Sequence, residues 1–170
     1  KAGTFKAGLI EGSTTRLYLD SVGGDVMLPR AWRRGGGVRP PVVLIASGIG
    51  ITPYRAMIRA SLAAHTDLTG LSVVHVIGAA ERAVYTDDLD AARAAGARVE
   101  VIESGVTPVV SGDTVTVATV LDALTIAAGT RYYVSGAPDF VRQAAAEVRR
   151  IDPGTRGRFW RIRTDVFRGY

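Results

Sequence analysis

The stretch Val42-Val43-Leu44-Ile45-Ala46-Ser47-Gly48-Ile49-Gly50-Ile51-Thr52-Pro53-Tyr54 decides the fold. Its first half is an apolar, β-branched run that suits a strand buried on both faces. The run breaks at Gly48 and Gly50, where backbone without a Cβ lets an anionic group approach closely. Thr52 is read as a helix N-cap, and Pro53 falls at a first helical position, whose N–H would be unpaired in any case. A helix starting there aims its unpaired amides and the positive end of its dipole at whatever fills the turn, and a pyrophosphate suits that position. Two glycines one residue apart after a strand also read as a plain tight connection, so the rest of the chain must decide between the two.

Beyond residue 40, strand and helix patterns alternate, which predicts parallel βαβ units and an α/β, doubly wound, five-stranded parallel sheet. Strands are predicted at Val42–Ser47, Ser72–Ile77, Arg98–Ile102, Tyr132–Ser135 and Phe159–Arg163, with helices at Pro53–Ala64, Thr86–Ala95, Ala118–Ala127 and Pro138–Arg150. In a sheet of order 3-2-1-4-5, the turn after the first strand and the Gly136 turn after the fourth open on one crevice beyond the carboxyl ends of the strands, where ligands of such sheets lie. Ser135-Gly136-Ala137-Pro138 taken alone is also an ordinary strand-to-helix turn with Pro at the helix start.

Composition narrows the classes. The chain has 170 residues, 47% of them hydrophobic, enough for a sizeable core. No apolar run reaches the roughly 18 residues of a membrane span, and the start at Lys1 does not resemble a signal peptide, so the chain is read as soluble and cytoplasmic. With no cysteine, a disulfide, a thiol nucleophile and a four-thiolate iron–sulfur cluster are excluded from this chain, and any cluster must sit on a partner. His65 and His75 are the only histidines, one near a helix end and one inside an apolar strand, so no metal site is expected. The net charge of +5 is compatible with a phosphorylated cofactor, an acidic lipid surface or an acidic redox partner. Its arginines are dispersed apart from Arg33 with Arg34 and the group Arg149, Arg150, Arg156, Arg158, Arg161 and Arg163. They lack the interleaved aromatics of single-strand binders, so nucleic acid is not expected.

Five segments, taken in order, resemble the ferredoxin–NADP reductase superfamily. Gly48-Ile49-Gly50-Ile51-Thr52-Pro53 is similar to its Gly-x-Gly-x-Thr-Pro signature. Tyr133-Val134-Ser135-Gly136-Ala137-Pro138-Asp139-Phe140-Val141 is similar to its Cys-Gly-Pro-Pro-x-Met-Val signature, and Phe167-Arg168-Gly169-Tyr170 to its aromatic C-terminal tail. Upstream, Gly3-Thr4-Phe5-Lys6 and Gly24-Asp25-Val26-Met27-Leu28-Pro29 resemble the last helix and last strand of its flavin domain. The resemblance implies NAD(P) and FAD as cofactors and hydride transfer from NAD(P)H to flavin, with electrons passed on to an acceptor protein or domain. By that resemblance Gly48, Gly50, Ile51, Thr52 and Pro53 hold the pyrophosphate, while Gly136, Ala137 and Pro138 border the nicotinamide. Ser135 offers a small hydroxyl near the hydride-transfer position, Thr4 starts a helix facing the flavin pyrophosphate, and Tyr170 covers the flavin ring.

Three departures qualify the match. Ser135 stands where the family commonly has Cys, Asp139 where it often has a second Pro, and no Arg-x-Tyr-Ser/Thr flavin-gripping strand is found. The expected organisation is therefore residues 1–34 as the C-terminal remnant of an antiparallel flavin-binding β-barrel plus linker, and residues 35–170 as the NAD(P)-binding domain. Within the first, a helix is expected at Gly3–Leu9 and a strand at Thr15–Asp20, and Arg34–Pro41 reads as a flexible link. The loop after the second strand, with Ala79, Glu81 and Arg82, is expected at the adenosine ribose. An acid there would bind a free 2′-hydroxyl and an arginine a 2′-phosphate, so the sequence does not choose between NAD and NADP. A non-catalytic nucleotide-binding or interaction module that has lost the flavin site is the alternative. A short-chain dehydrogenase would need a Tyr-x-x-x-Lys pair and a three-glycine fingerprint, and neither is present.

Overall fold

The computed structural model describes residues 26–34, 38–78, 84–104, 116–124 and 126–167. A short helix α1 (Arg30–Arg34) leads to β1 (Val42–Ser47), then a 3-10 turn (Gly48–Ile51) runs directly into α2 (Thr52–Ala63). There follow β2 (Leu71–Gly78), α3 (Thr86–Ala94), β3 (Arg98–Ser104), α4 (Val117–Asp122), β4 (Arg131–Gly136), α5 (Pro138–Ile151), two further 3-10 turns (Pro153–Thr155 and Phe159–Arg161) and β5 (Ile162–Val166). The strands form one five-stranded sheet of order β3-β2-β1-β4-β5, and every pairing is parallel. This is the predicted α/β doubly wound architecture. Most of the predicted remnant of the flavin barrel, residues 1–25, lies outside the described residues; of its expected last strand, Gly24–Pro29, residues 26–29 are described and form no strand, and a helix follows at Arg30–Arg34.

The sheet separates two cores, because side chains of a strand alternate between faces. Val42, Leu44 and Ala46 of β1 join Val73, Tyr133, Tyr54, Ile58, Leu89 and Ala92 under α2 and α3. Val43 and Ile45 join Val74, Val76, Tyr132, Val134 and the α5 residues Val141, Ala144 and Val148 on the other side. The α5 set recurs at intervals of three and four, the stripe that a helix lays against a sheet.

The segment before β1 is bound to the first core. Leu28 and Trp32 are buried in it, and the Tyr133 hydroxyl donates to the Met27 carbonyl at 2.7 Å. Trp32 Nε1 donates to the Pro40 carbonyl at 2.8 Å, while the Arg39 guanidinium lies 5.4 Å from the Trp32 ring centre and donates to the Asp67 carbonyl. The predicted flexible link is thus tied down at its described end, and the indole ring is what the chain is tied to.

Two elements differ from expectation in position. Helix α4 begins one residue early, where Thr116 and Thr119 cap each other reciprocally, and stops at Asp122. The fifth strand lies at Ile162–Val166 rather than Phe159–Arg163. Its displacement has a clear cause: the Arg161 guanidinium is drawn into the protein, donating to the Asp152 carboxylate and, at 3.0 Å, to the Thr130 carbonyl. Asp152 also accepts from the Tyr132 hydroxyl and the Gly154 amide. The backbone winds into a 3-10 turn to deliver that arginine, and the extended strand starts only after it.

Candidate active site

Strands β1 and β4 are neighbours in the sheet, with Ala46 beside Ser135 in the register. Their carboxyl ends therefore bring Gly48 and Gly136 to the same edge. Gly48 has φ +51 and Gly136 has φ +145, conformations that residues with a Cβ rarely adopt. The two turns interlock. A Cβ on Gly50 would lie 2.6 Å from the Ser135 carbonyl oxygen and 2.9 Å from the Gly136 nitrogen, and one on Gly136 would lie 3.0 Å from Ser47 Cβ. Gly50 is buried and has no left-handed φ, so its lack of a side chain serves the approach of β4 rather than a strained turn. That corrects the expectation that Gly50 clears space for a phosphate. Gly48, Ile49, Thr52, Pro53, Ala137 and Pro138 reach the surface at the two turns, while Gly50, Ile51, Ser135 and Gly136 are buried.

Thr52 is not an N-cap. It has helical dihedrals (φ −56, ψ −48), and its hydroxyl donates to the Ile49 carbonyl at 2.8 Å. The 3-10 turn at Gly48–Ile51 supplies the first helical turn, so the unsatisfied amides belong to that turn. Ile51 is buried beneath it, and Pro53 sits within the first positions of α2, as predicted. At the second turn, Ala137 is extended (φ −61, ψ 150) and Pro138 is the first residue of α5, also as predicted.

Ser135 is fully buried, and its hydroxyl lies beside the Tyr54 phenol. Tyr54, fully buried on α2, reaches the same region; its hydroxyl donates weakly to the Ile45 carbonyl at 3.4 Å. Burial, and after it the negative charge of Asp165, hold the Tyr54 phenol well above its ordinary range, while the nearby Ser135 hydroxyl acts slightly in the opposite direction. Tyr54 is thus neutral at any ordinary pH. Asp165 is the direct neighbour of Ser135 on β5, and one step beyond the strand the Phe167 amide donates to the Gly136 carbonyl at 3.0 Å.

Of four further residues at this edge, Tyr54 and Asp165 carry no local signal in the sequence, whereas Phe167 belongs to the aromatic tail already noted and His75 is a polar residue within an apolar strand. His75 is fully buried in β2, and its Nε2 lies 3.0 Å from the Gly48 carbonyl oxygen. On the far side of α2, Tyr85 adopts a left-handed conformation (φ 62) just before α3. The Arg55 guanidinium lies 4.3 Å from its ring centre and pairs with Asp88 at 2.6 Å. Thr4, Ala79, Glu81, Arg82 and Tyr170 lie outside the described residues.

Chemically, the edge can receive an anion: it has helix-initiating amides at the Gly48 turn and no Cβ at Gly48 or Gly136 to block the backbone. Among the described residues, no cluster of His, Cys, Asp and Glu fits a metal ion, and no helix is long and apolar enough to cross a membrane.

Residues 44–146 match the family model described as the oxidoreductase NAD-binding domain. No curated protein matches the chain. Among solved structures, it is similar to ferredoxin-NADP+ reductase from Plasmodium falciparum, with a TM-score of 0.63 at 14% identity over 85% of this chain and 57% of that one. It is also similar to a cytochrome P450 reductase from Amycolatopsis, with a TM-score of 0.59 at 22% identity over 86% of this chain and 42% of that one. A ferredoxin NADP+ reductase from Neisseria gonorrhoeae with bound FAD and NADP shares the fold at a TM-score of 0.51 and 17% identity, over 74% of this chain and 56% of that one. The chain spans about half the length of these structures.

Proposed function

Because the chain belongs to the oxidoreductase NAD-binding domain family, we propose that it is the nicotinamide-nucleotide half of a flavin-dependent reductase. The observation that carries this reading is the interlock of two glycine turns at the carboxyl ends of adjacent parallel strands, with Gly50 packed on the backbone of Ser135 and Gly136. That edge is where ligands of doubly wound sheets lie.

In this reading the amides of the Gly48 turn hold the pyrophosphate, with Ile51, Thr52 and Pro53 shaping the turn from behind. Gly136, Ala137 and Pro138 border the nicotinamide, and Ser135 supports that wall from within the core. Ala79, Glu81 and Arg82 form the loop at the adenosine ribose and choose between NADH and NADPH. Residues 1–34 end the flavin domain, with Thr4 at the flavin pyrophosphate, and residues 35–170 form the NAD(P)-binding domain. When bound, nicotinamide and flavin together supply two-electron hydride chemistry, and an acceptor protein or domain receives the electrons. The protein's contribution is to orient the two rings and to exclude water from between them.

Titration calorimetry of this chain with NADH, NADPH and ADP-ribose tests the nucleotide site. Binding of ADP-ribose together with at least one of the reduced nucleotides is expected, and absence of binding by all three refutes the reading. The flavin part is tested in the same chain extended through a full flavin domain: a yellow protein whose flavin is bleached anaerobically by NADH or NADPH supports it. A colourless one favours a nucleotide-binding module without reductase chemistry.

A further inference from the structure

We propose that His75 is a positioning residue for the nucleotide turn, holding the Gly48 carbonyl inward so that the next amide faces the phosphates; this rests on the nucleotide-binding reading above. His75 occupies the middle of β2 between Val74 and Val76 and is fully buried. Its neighbour in the register on β1 is Ala46, whose methyl leaves the imidazole free to extend toward the end of that strand. Two residues beyond Ala46 the chain turns at Gly48, and the imidazole Nε2 lies 3.0 Å from the Gly48 carbonyl oxygen. A carbonyl only accepts, so Nε2 carries a proton and donates it.

The consequence follows from peptide geometry. In a trans peptide the C=O and the following N–H point in opposite directions, and the described peptides are all trans. Turning the Gly48 oxygen down onto β2 turns the Ile49 amide up, away from the sheet. Ile49 is 42% exposed and lies in the first turn of the helical run, where amides have no acceptor within the helix. The next carbonyl is also committed, since Ile49 O accepts from both the amide and the hydroxyl of Thr52. The 48–49 peptide is thereby oriented with its oxygen inward and its amide outward, the arrangement an anion selects, and the peptide after it is anchored to Thr52. The left-handed φ of Gly48 permits this rotation, and the His75 proton makes it the preferred one.

Without the His75 donor, the Gly48 oxygen keeps only the 3-10 bond from the Ile51 amide, and the 48–49 peptide is held less firmly and rotates more readily. The Ile49 amide then leaves the phosphate position, and binding must drive the rotation back. The lost hydrogen bond is read in affinity rather than in stability alone.

Calorimetric titration of NADH, NADPH and ADP-ribose into wild type, His75→Leu and His75→Gln tests this, with melting temperatures taken on the same samples. His75→Leu is expected to bind every nucleotide the wild type binds up to about tenfold more weakly, the span of one lost buried hydrogen bond. His75→Gln, whose side-chain amide carries a donor to the same oxygen, is expected to stay within about threefold of wild type, since one donor replaces another. Wild-type affinity in His75→Leu, or equal losses in the two variants, overturns the proposal. Should His75→Leu not fold, long-range 1H–15N NMR on the wild type decides instead: a protonated, hydrogen-bonded Nε2 with an Ile49 amide that shifts on adding ADP-ribose is expected. A bare Nε2, or an Ile49 amide unmoved by bound nucleotide, overturns it. Wild type that binds none of the three nucleotides refutes the nucleotide-binding reading and this proposal with it, whereas a bound wild type with an unaffected His75→Leu refutes this proposal alone.

Discussion

Gly50→Ala separates two roles that a glycine at this position could have. The new Cβ would stand 2.6 Å from the Ser135 oxygen, 2.8 Å from its carbonyl carbon and 2.9 Å from the Gly136 nitrogen. All three are backbone atoms of a strand hydrogen-bonded to β1, so no side chain can swing aside and the two turns must part. Overpacking of this kind costs about 1–3 kcal/mol, and three backbone contacts under 3.0 Å with β4 place this site in the upper half, about 2–3 kcal/mol. Gly50 has an ordinary φ, so alanine recovers about 0.4–1 kcal/mol by restricting the unfolded chain. The net loss is about 1–2.5 kcal/mol, which at roughly 2–4 °C per kcal/mol lowers the melting temperature by about 2–10 °C. Scanning calorimetry without ligand measures it. Gly129→Ala is the control, because nothing lies within 4 Å of its Cβ position and only the φ of +87 is strained. If Gly50→Ala melts at or above wild type while losing NADH affinity, the glycine serves the phosphate and the packing argument is refuted.

Other outcomes follow from particular contacts. Asp152→Ala strands the buried Arg161 guanidinium and removes the acceptor of Tyr132, so a loss of about 3–5 kcal/mol in urea denaturation is expected, whereas Asp152→Leu combined with Arg161→Met should lose much less. The Asp67 carboxyl is held below its ordinary value by the Thr69 amide and then by the Thr69 hydroxyl; a depressed folded pKa gives stability that is present above about pH 4 and disappears as pH falls through the folded value. Asp67→Asn should therefore lower the urea midpoint at pH 7 and leave it unchanged at pH 2. In the chain extended through its flavin domain, Phe167→Ala should change the flavin absorption more than deletion of Tyr170, because the Phe167 amide is bonded to the Gly136 carbonyl; the reverse order would return the covering role to Tyr170.

Much of the fold is legible in the sequence because it rests on local chemistry. The run Val42–Ser47 forms a strand with those same limits and is buried on both faces, as its β-branched apolar content requires. The alternation of such runs with amphipathic helices implies parallel pairing, and Pro53 and Pro138 mark helix starts because proline lacks the N–H that those positions leave unpaired. The candidate site was legible as two glycine turns, since glycine adopts the φ of Gly48 most readily and the φ of +145 at Gly136 is essentially a glycine conformation.

What tertiary structure alone decided is how those turns are used. Gly50 is identical in sequence terms to a phosphate-clearing glycine, yet its missing side chain is filled by β4, a strand some 80 residues away in the chain. Thr52 has the residue type of a cap but joins a helix already begun by the preceding 3-10 turn. The fifth strand slipped from its predicted place because Arg161 pairs with Asp152, nine residues earlier, in the interior, an ion pair that no hydrophobic period encodes. That slip brings Asp165 beside Ser135 and Phe167 to Gly136. Sequence sets which conformations each residue tolerates; which tolerated conformation is adopted, and which groups meet, depends on neighbours that only the closed sheet supplies.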